Sequence, residues 1–346
     1  MAGLTDTIYG DILAKYQAGY IDKNNFRKSQ AGMFEQLRKD TDNPLGLLSP
    51  QDKALLENSP IGKVIDLSVI KYDPSNYVLT ETAPATLEPV ETQLETGKVN
   101  VTWRDVSFNI FINKDEHVNN SVDAQQKLEK QLLAWEEAVV GKIDADGITA
   151  INTAKTQALS KNFGITFDGT SKTLNFAADE DVKVYGATGR MFEANNYAGS
   201  RTMVGNAGIA YMTDQLMKLS DYNAINEALQ LQGWSMATTN RIADAVGKKA
   251  TAYAMIDGYT ALLTQTAAAY KNGTTSGKGE EWSTMQLPTS GITANVFYRD
   301  GAVIKTGTDS SISNQMVWTF WVRYAIVTPA LDYADKNPFI KLDVAE

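Results

Sequence analysis

The stretch "NSVDAQQKLEKQLLAWEEAVVGKIDADGITAIN", residues 120–152, decides the fold. Leu128, Leu132, Trp135, Val139, Ile143, Gly147, Ile151 and Ala154 recur at intervals of three or four, laying one apolar stripe along a helix that should run to about Gln157. Ser121 suits the N-cap, Asp123 sits where the helix dipole favours an anion, and Asp123 with Lys127 makes a favourable i,i+4 pair. About 36 residues at 1.5 Å each give a rod of roughly 54 Å, longer than most compact domains are wide. Gly141 and Gly147 each cost on the order of 1 kcal/mol against alanine in a helix interior, so they either permit close packing or mark a bend.

Immediately before the helix the character is strand. "KVIDLSVIKY" from Lys63 puts Ile65, Leu67 and Val69 on one face, and "VNVTWRDVSFNIFI" (99–112) is rich in β-branched and aromatic residues. The two read as arms of one long hairpin. In the second arm Val99, Val101 and Trp103 are odd-numbered whereas Val106, Phe108, Ile110 and Ile112 are even. The apolar face therefore changes phase at Arg104 and Asp105, which predicts a bulge or bend there. Between the arms, "TETAPATLEPVETQLETG" (80–97) carries Glu81, Glu88, Glu91 and Glu95 with no lysine or arginine. It is an acidic tip, far longer than an ordinary hairpin turn.

Residues 1–60 alternate short apolar runs with charge and punctuating Pro, Asn and Asp, as an extended surface arm with short helices would. Beyond 160, "DVKVYG" and "SRTMVGN" read as short strands, and 208–219, 222–231 and 256–270 as helices. "KNGTTSGKGEE" (271–281) reads as a loop. "ITANVFYRDGAVIKTG" follows as a hairpin turning at Asp300-Gly301, and "SNQMVWTFWVRYAIVTP" as a strand buried on both faces, holding Trp318, Phe320 and Trp321.

Composition narrows function by exclusion. With 346 residues and 43% hydrophobic content the chain can bury a core, and no repeat of solenoid period is visible. No cysteine means no disulfide, thiolate metal site or cysteine nucleophile. The single histidine, His117, rules out any multi-histidine metal site. A net charge of −9 is the wrong sign for a protein that grips nucleic acid through its overall field. The first residues show neither a signal-peptide pattern nor a membrane-length apolar run, so a soluble protein made inside a cell is expected. "GTTSGKG" (273–279) is one residue short of a P-loop and has Gly279 in place of Ser or Thr. "KIDADG" (142–147) imitates a calcium loop but has Lys142 and Thr153 where the end ligands belong, so it reads as a helix face with two aspartates. No catalytic residue, cofactor site or metal site is assigned.

The order of parts is the informative feature: arm, long hairpin, "FNIFINKDE", long helix, α/β block, and a late apolar strand ending in "VRYAIVTP". With the loose patterns "INKDE" before the helix and "KIDADGITAI" within it, this layout resembles the major capsid protein of tailed bacteriophages. That Hong Kong 97-type fold is shared with herpesvirus capsid floors and encapsulin nanocompartments. The resemblance implies an α+β chain with an N-terminal arm at 1–60, an extended hairpin loop at 61–113 and a peripheral domain with its spine helix at 114–175. An α/β axial domain at 176–310 and a return strand at 311–346 complete it. It implies a non-enzymatic protein, made in the host bacterial cytoplasm, that assembles with itself as hexamers and pentamers into an icosahedral virion shell. Scaffolding and portal proteins are the expected partners; genome DNA is enclosed without sequence-specific binding, and no membrane is involved. Inter-subunit contacts would fall on Glu81, Glu88, Glu91, Glu95, Lys98, Arg104 and Asp105, with Trp135, Gly141 and Gly147 governing how the helix packs or bends. Family members that cross-link covalently use a lysine in the extended loop. Residues 80–97 hold none and Lys98 is the nearest, so isopeptide cross-linking is not expected. An encapsulin-like cage is the alternative within the fold. An acidic glycan-binding or glycoside-hydrolysing protein and a phage tail or fibre protein are the alternatives outside it.

Overall fold

The computed structural model describes residues 30–42, 50–59, 61, 66–70, 96–113, 121–155, 163–220, 233–243, 245–267, 270, 274–276, 280–306, 311–329 and 338–346. Helices α1 (Gly32–Asp42) and α2 (Pro50–Asn58) come first, then strands β1 (Asp66–Ile70), β2 (Thr96–Asn100) and β3 (Arg104–Asn113). The long helix α3 runs Ser121–Ala154, 34 residues without a break at either glycine. β4 (Thr166–Asp168), β5 (Thr173–Phe176), α4 (Lys183–Ala194), β6 (Arg201–Gly205), α5 (Ala207–Ser220), β7 (Trp234–Thr238) and β8 (Lys248–Ile256) follow. The remainder is all strand: β9 (Ala261–Gln265), β10 (Thr274–Ser276), β11 (Glu280–Gln286), β12 (Thr293–Thr306), β13 (Ser311–Val327) and β14 (Phe339–Ala345). No helix among the described residues is long and apolar enough to cross a membrane.

Two six-stranded sheets share the long helix. The first runs β10-β11-β12-β13-β3, with β9 also pairing β13; the second runs β4-β5-β14-β8-β6-β7. Strand alternation turns Phe108, Ile110, Ile112, Val296, Tyr298, Trp318, Phe320 and Val322 of the first sheet into the core that α3 covers with Leu128, Leu132, Val139 and Ile143. Tyr253 and Met255 of β8 join the same core, while Ala250, Ala252, Ala254 and Ile256 on the other face of that strand pack under α4 and α5. At about 25 cal/mol per Å² of apolar surface, large side chains at zero exposure such as Phe34, Ile110 and Tyr324 each contribute roughly 1.5–3 kcal/mol to this core.

Several local readings give way to tertiary packing. Part of the expected surface arm is core: Met33, Phe34 and Leu37 of α1 are fully buried against α3, β7 and β9. The second hairpin arm stops at Asn100, because residues from Arg104 onward pair with β13 instead of β1. "DVKVYG" opens helix α4; Val184, Tyr185, Thr188, Met191 and Phe192 bury one helical face, and that spacing outweighs the local β-branched content. The helix expected at 256–270 is instead the end of β8 and all of β9, with Gly258 at φ +87° turning the chain between them. Asp300-Gly301 is no hairpin turn. β12 runs straight through it, and the register jumps from Arg299↔Val317 to Ala302↔Gln315, two residues facing one, which is a β-bulge. The loop expected at 271–281 includes β10 and the start of β11. Between Trp318 and Tyr324 β13 buries its even-numbered residues, while Trp321 on the other face is half-buried. Sheet membership also crosses the divisions read from sequence. β9 to β12 lie in the sheet of β3 and β13, and β14 lies in the sheet of β6 and β8, because each strand follows its hydrogen-bond partner and not its place in the chain. The helix expected at 222–231, His117 and the acidic tip fall outside the described residues.

Candidate assembly surface

The phase change at Arg104 and Asp105 has a structural cause. Val101 and Trp103 pack with Leu56 of α2 and with Leu263, Ala325 and Val327, a small cluster apart from the main core. From Val106 the apolar residues face α3 instead. β3 pairs with β13 in unbroken register from Arg104 to Asn113, so the expected bulge is absent there: the odd-numbered Val101 and Trp103 face the small cluster and the even-numbered residues from Val106 face α3, as successive side chains of a strand point to opposite faces.

Arg104 sends its guanidinium to Asp146 of α3 at 2.7 Å. That aspartate also accepts from the buried Tyr324 hydroxyl at 2.6 Å and from Lys142 at 2.9 Å. Burial alone would push the Asp146 carboxyl up, but the Tyr324, Lys142 and Arg104 donors outweigh it and hold it below the ordinary carboxylate range. The Tyr324 hydroxyl is pushed up, by burial first and then by its bond to Asp146. On the opposite face Asp105 accepts from Trp321 Nε1 at 2.9 Å and pairs with Arg323 at 3.2 Å, and Arg323 lies over the Trp103 ring. Two adjacent residues therefore fasten the root of the β1–β2 hairpin to both faces of the first sheet.

Among the described residues β1 and β2 pair with each other and with no other strand, Lys98 opposite Ser68. A two-stranded ribbon alone is at best marginally stable in water, and both of its outer edges present backbone donors and acceptors. The sheet beside the root has aromatic residues on its outward face. Its outward face aligns Phe111 with Val317, and Thr319 with Phe297 and Trp282. Phe111 is 42% exposed, Trp282 and Phe297 are half-buried and meet at a tilt with ring centroids 5.2 Å apart, and Tyr270 meets Trp321 edge-on at 6.2 Å.

Of the residues singled out from sequence, Glu81, Glu88, Glu91 and Glu95 lie outside the described residues. Trp135 does not extend the buried stripe. It is 43% exposed and stacks on Phe108, which stacks in turn on Phe320, while the fully buried Glu136 takes the inward position. Both glycines are points of close approach: a Cβ at Gly141 would stand 2.3 Å from Arg241 Nη2, and one at Gly147 would stand 2.8 Å from Leu37 Cδ1 and Met33 Cγ.

Sequence reasoning missed what the acidic residues of α3 do. Glu136 Oε1 accepts from the Thr289 and Ser290 amides and the Ser290 hydroxyl, holding the 287–292 turn. Asp144 accepts from the Phe34 amide at 2.9 Å and the Thr239 hydroxyl at 2.6 Å; burial first of all pushes its carboxyl up. With Asp146, these carboxylates tie one helix to α1, to the segment after β7, to the 287–292 turn and to β13. An acidic residue in the middle of an apolar helix stripe was the available signal, since a carboxylate there must find partners. No group of side chains that could hold a metal ion occurs among the described residues.

No protein-family profile and no curated protein matches the chain. Solved structures from phages do. The chain is similar to one in the capsid asymmetric unit of cyanophage Pam1, at 12% identity over 84% of this chain and 87% of that one, with a TM-score of 0.49. It is similar to one in the capsid structure of cyanophage P-SCSP1u, at 12% identity over 83% and 85% with a TM-score of 0.48. A chain from Mycobacterium phage Adephagia matches at 14% identity over 84% and 88% with a TM-score of 0.47.

Proposed function

We propose that this chain is a structural shell protein, the major capsid protein of a tailed phage with a Hong Kong 97-type fold, assembling with itself around a double-stranded DNA genome. The observation that carries the reading is the β1–β2 hairpin, which pairs with no other strand among the described residues while its root is clamped to both faces of the first sheet. A stiffly rooted, otherwise unpaired ribbon makes physical sense when a neighbouring subunit covers it. In this reading α3 and the first sheet form the peripheral part, and the second sheet with α4 and α5 forms the axial part. The aromatic outward face and the acidic tip are contact surfaces. The protein works by assembly, not by turnover. Scaffolding and portal proteins remain expected partners, and DNA is held by enclosure, which an acidic wall does not oppose.

Single rim ion pairs are worth under about 1 kcal/mol, but a closed shell repeats each interface under symmetry, so small terms decide assembly. Replacing residues 80–95 by a short Gly-Ser turn keeps β2 and removes the tip. The expected product is a soluble, cooperatively melting protein that no longer forms shells by gel filtration. Charge reversal at Glu88 and Glu91 should weaken assembly in a salt-dependent way. Normal assembly of the shortened chain would make the hairpin mere decoration, and failure to fold would place the tip in the core.

A further inference from the structure

We propose that α1 is a proton-controlled latch, whose C-terminal turn grips the turn between β8 and β9 more tightly when Asp40 is protonated than when it is ionised. The inference is independent of the shell reading.

The geometry is a pair of buried carboxylates sharing one donor. Gln36 Nε2 reaches Asp40 Oδ1 at 2.7 Å and Asp257 Oδ1 at 2.9 Å, and both aspartates are buried, Asp40 to 1% exposure. Asp257 has the cation, Lys39 at 2.7 Å, together with the Thr202 hydroxyl of β6 at 2.6 Å. Asp40 receives only neutral donors: the Thr260 hydroxyl and the backbone amides of Gly258 and Thr260. Its neighbouring charge is Asp257, of the same sign. The other charged groups around α1 lie elsewhere. Arg38 donates to the Ser290 carbonyl, and Asp144, with Arg241 beside it, meets the first turn of α1 at Phe34.

Burial, with the negative charge of Asp257 adding to it, raises Asp40 from 3.8 to about 6. The docked state thus binds a proton more tightly than the undocked one. Its stability grows as pH falls from above 6 toward 4, and that gain is absent above 6. Between pH 7.5 and 5.0 the two values correspond to about a tenfold strengthening of docking. Asp146, which is held low, changes nothing in this window because its contribution is lost only below its ordinary value. Asp144, also pushed up by burial, meets α1 at Phe34 in its first turn, outside the 37–42 segment that reports on Asp40.

Amide hydrogen exchange of the full chain at pH 7.5 and 5.0, corrected for intrinsic exchange and compared with β14 as an internal control, tests the latch. Peptides covering residues 37–42 should gain about tenfold protection at pH 5.0 beyond any change in β14, and Asp40→Asn should abolish that gain. A wild-type protein whose α1 protection is flat or falls at pH 5.0 overturns the proposal, as does an Asp40→Asn chain that keeps the tenfold gain. If Asp40→Asn does not fold, Asp257→Asn serves. Removing the like charge should move the midpoint of the transition below 6, and an unmoved midpoint counts against the latch.

Discussion

Replacing Asp146 by alanine probes the joint that orients the hairpin root. The substitution removes three partners of unequal worth. Arg104 and Lys142 are about half exposed, so losing each ion pair costs under about 1 kcal/mol. Tyr324 is fully buried, and its hydroxyl loses the partner it has in this structure, which costs about 1–3 kcal/mol. The expected loss is about 2–4 kcal/mol in urea unfolding at pH 7, measured where gel filtration shows monomer. Tyr324→Phe removes the hydroxyl but leaves Asp146 its two cations, for about 1–2 kcal/mol. The double variant should fall short of the sum by about 1–2 kcal/mol, since both single changes break the same bond. The pH dependence gives an independent check. Asp146 is held low in the folded chain, so its stabilisation is present above its unfolded value of 3.8 and lost as pH falls through the lower folded value. Asp146→Ala should therefore flatten the acid limb of the stability curve. A loss below about 0.5 kcal/mol that adds fully with Tyr324→Phe would refute the joint.

Two further outcomes follow from steric and chemical detail. A Cβ at Gly208 would lie 1.9 Å from the Lys249 carbonyl oxygen, a backbone atom that cannot swing aside, so Gly208→Ala should lower stability by about 3 kcal/mol. Gly169, with open space around its Cβ position, should accept alanine within about 0.5 kcal/mol, and thermal melts of the pair test the contrast. Assembled particles boiled in denaturant should run as a single band near 37.8 kDa, because residues 80–97 lack lysine and Lys98 sits within a strand. A ladder of multimers would contradict that.

What was legible in the sequence is what local periodicity dictates. The 34-residue helix, the buried even face of β3 and strand β6 are set by spacing that packing then follows, with Trp135 the exception on the helix stripe. The misreadings share one cause. "DVKVYG" and residues 259–265 have weak local preferences, and the choice between helix and strand fell to partners more than fifty residues away, α4 against β8, and β9 against β13. Asp300-Gly301 has hairpin-turn chemistry, yet an uninterrupted ladder on both sides makes it a bulge. The joint was half visible. The phase change located Arg104 and Asp105, but Tyr324 and Arg323 lie some 220 residues further on, and no spacing rule connects them. Asp144 and Asp146 read simply as two aspartates on a helix face, because the partners that bury them, among them the Phe34 amide, the Thr239 hydroxyl and the Tyr324 hydroxyl, come from distant parts of the chain.

Electron microscopy of the purified chain, expressed alone and together with a candidate scaffolding protein, bears most directly on the proposed shell function. Closed isometric shells, in which the 66–100 ribbon of one subunit lies against a neighbour, are the predicted result. Single molecules under every condition, or a ribbon that touches no neighbour within a formed shell, would contradict it.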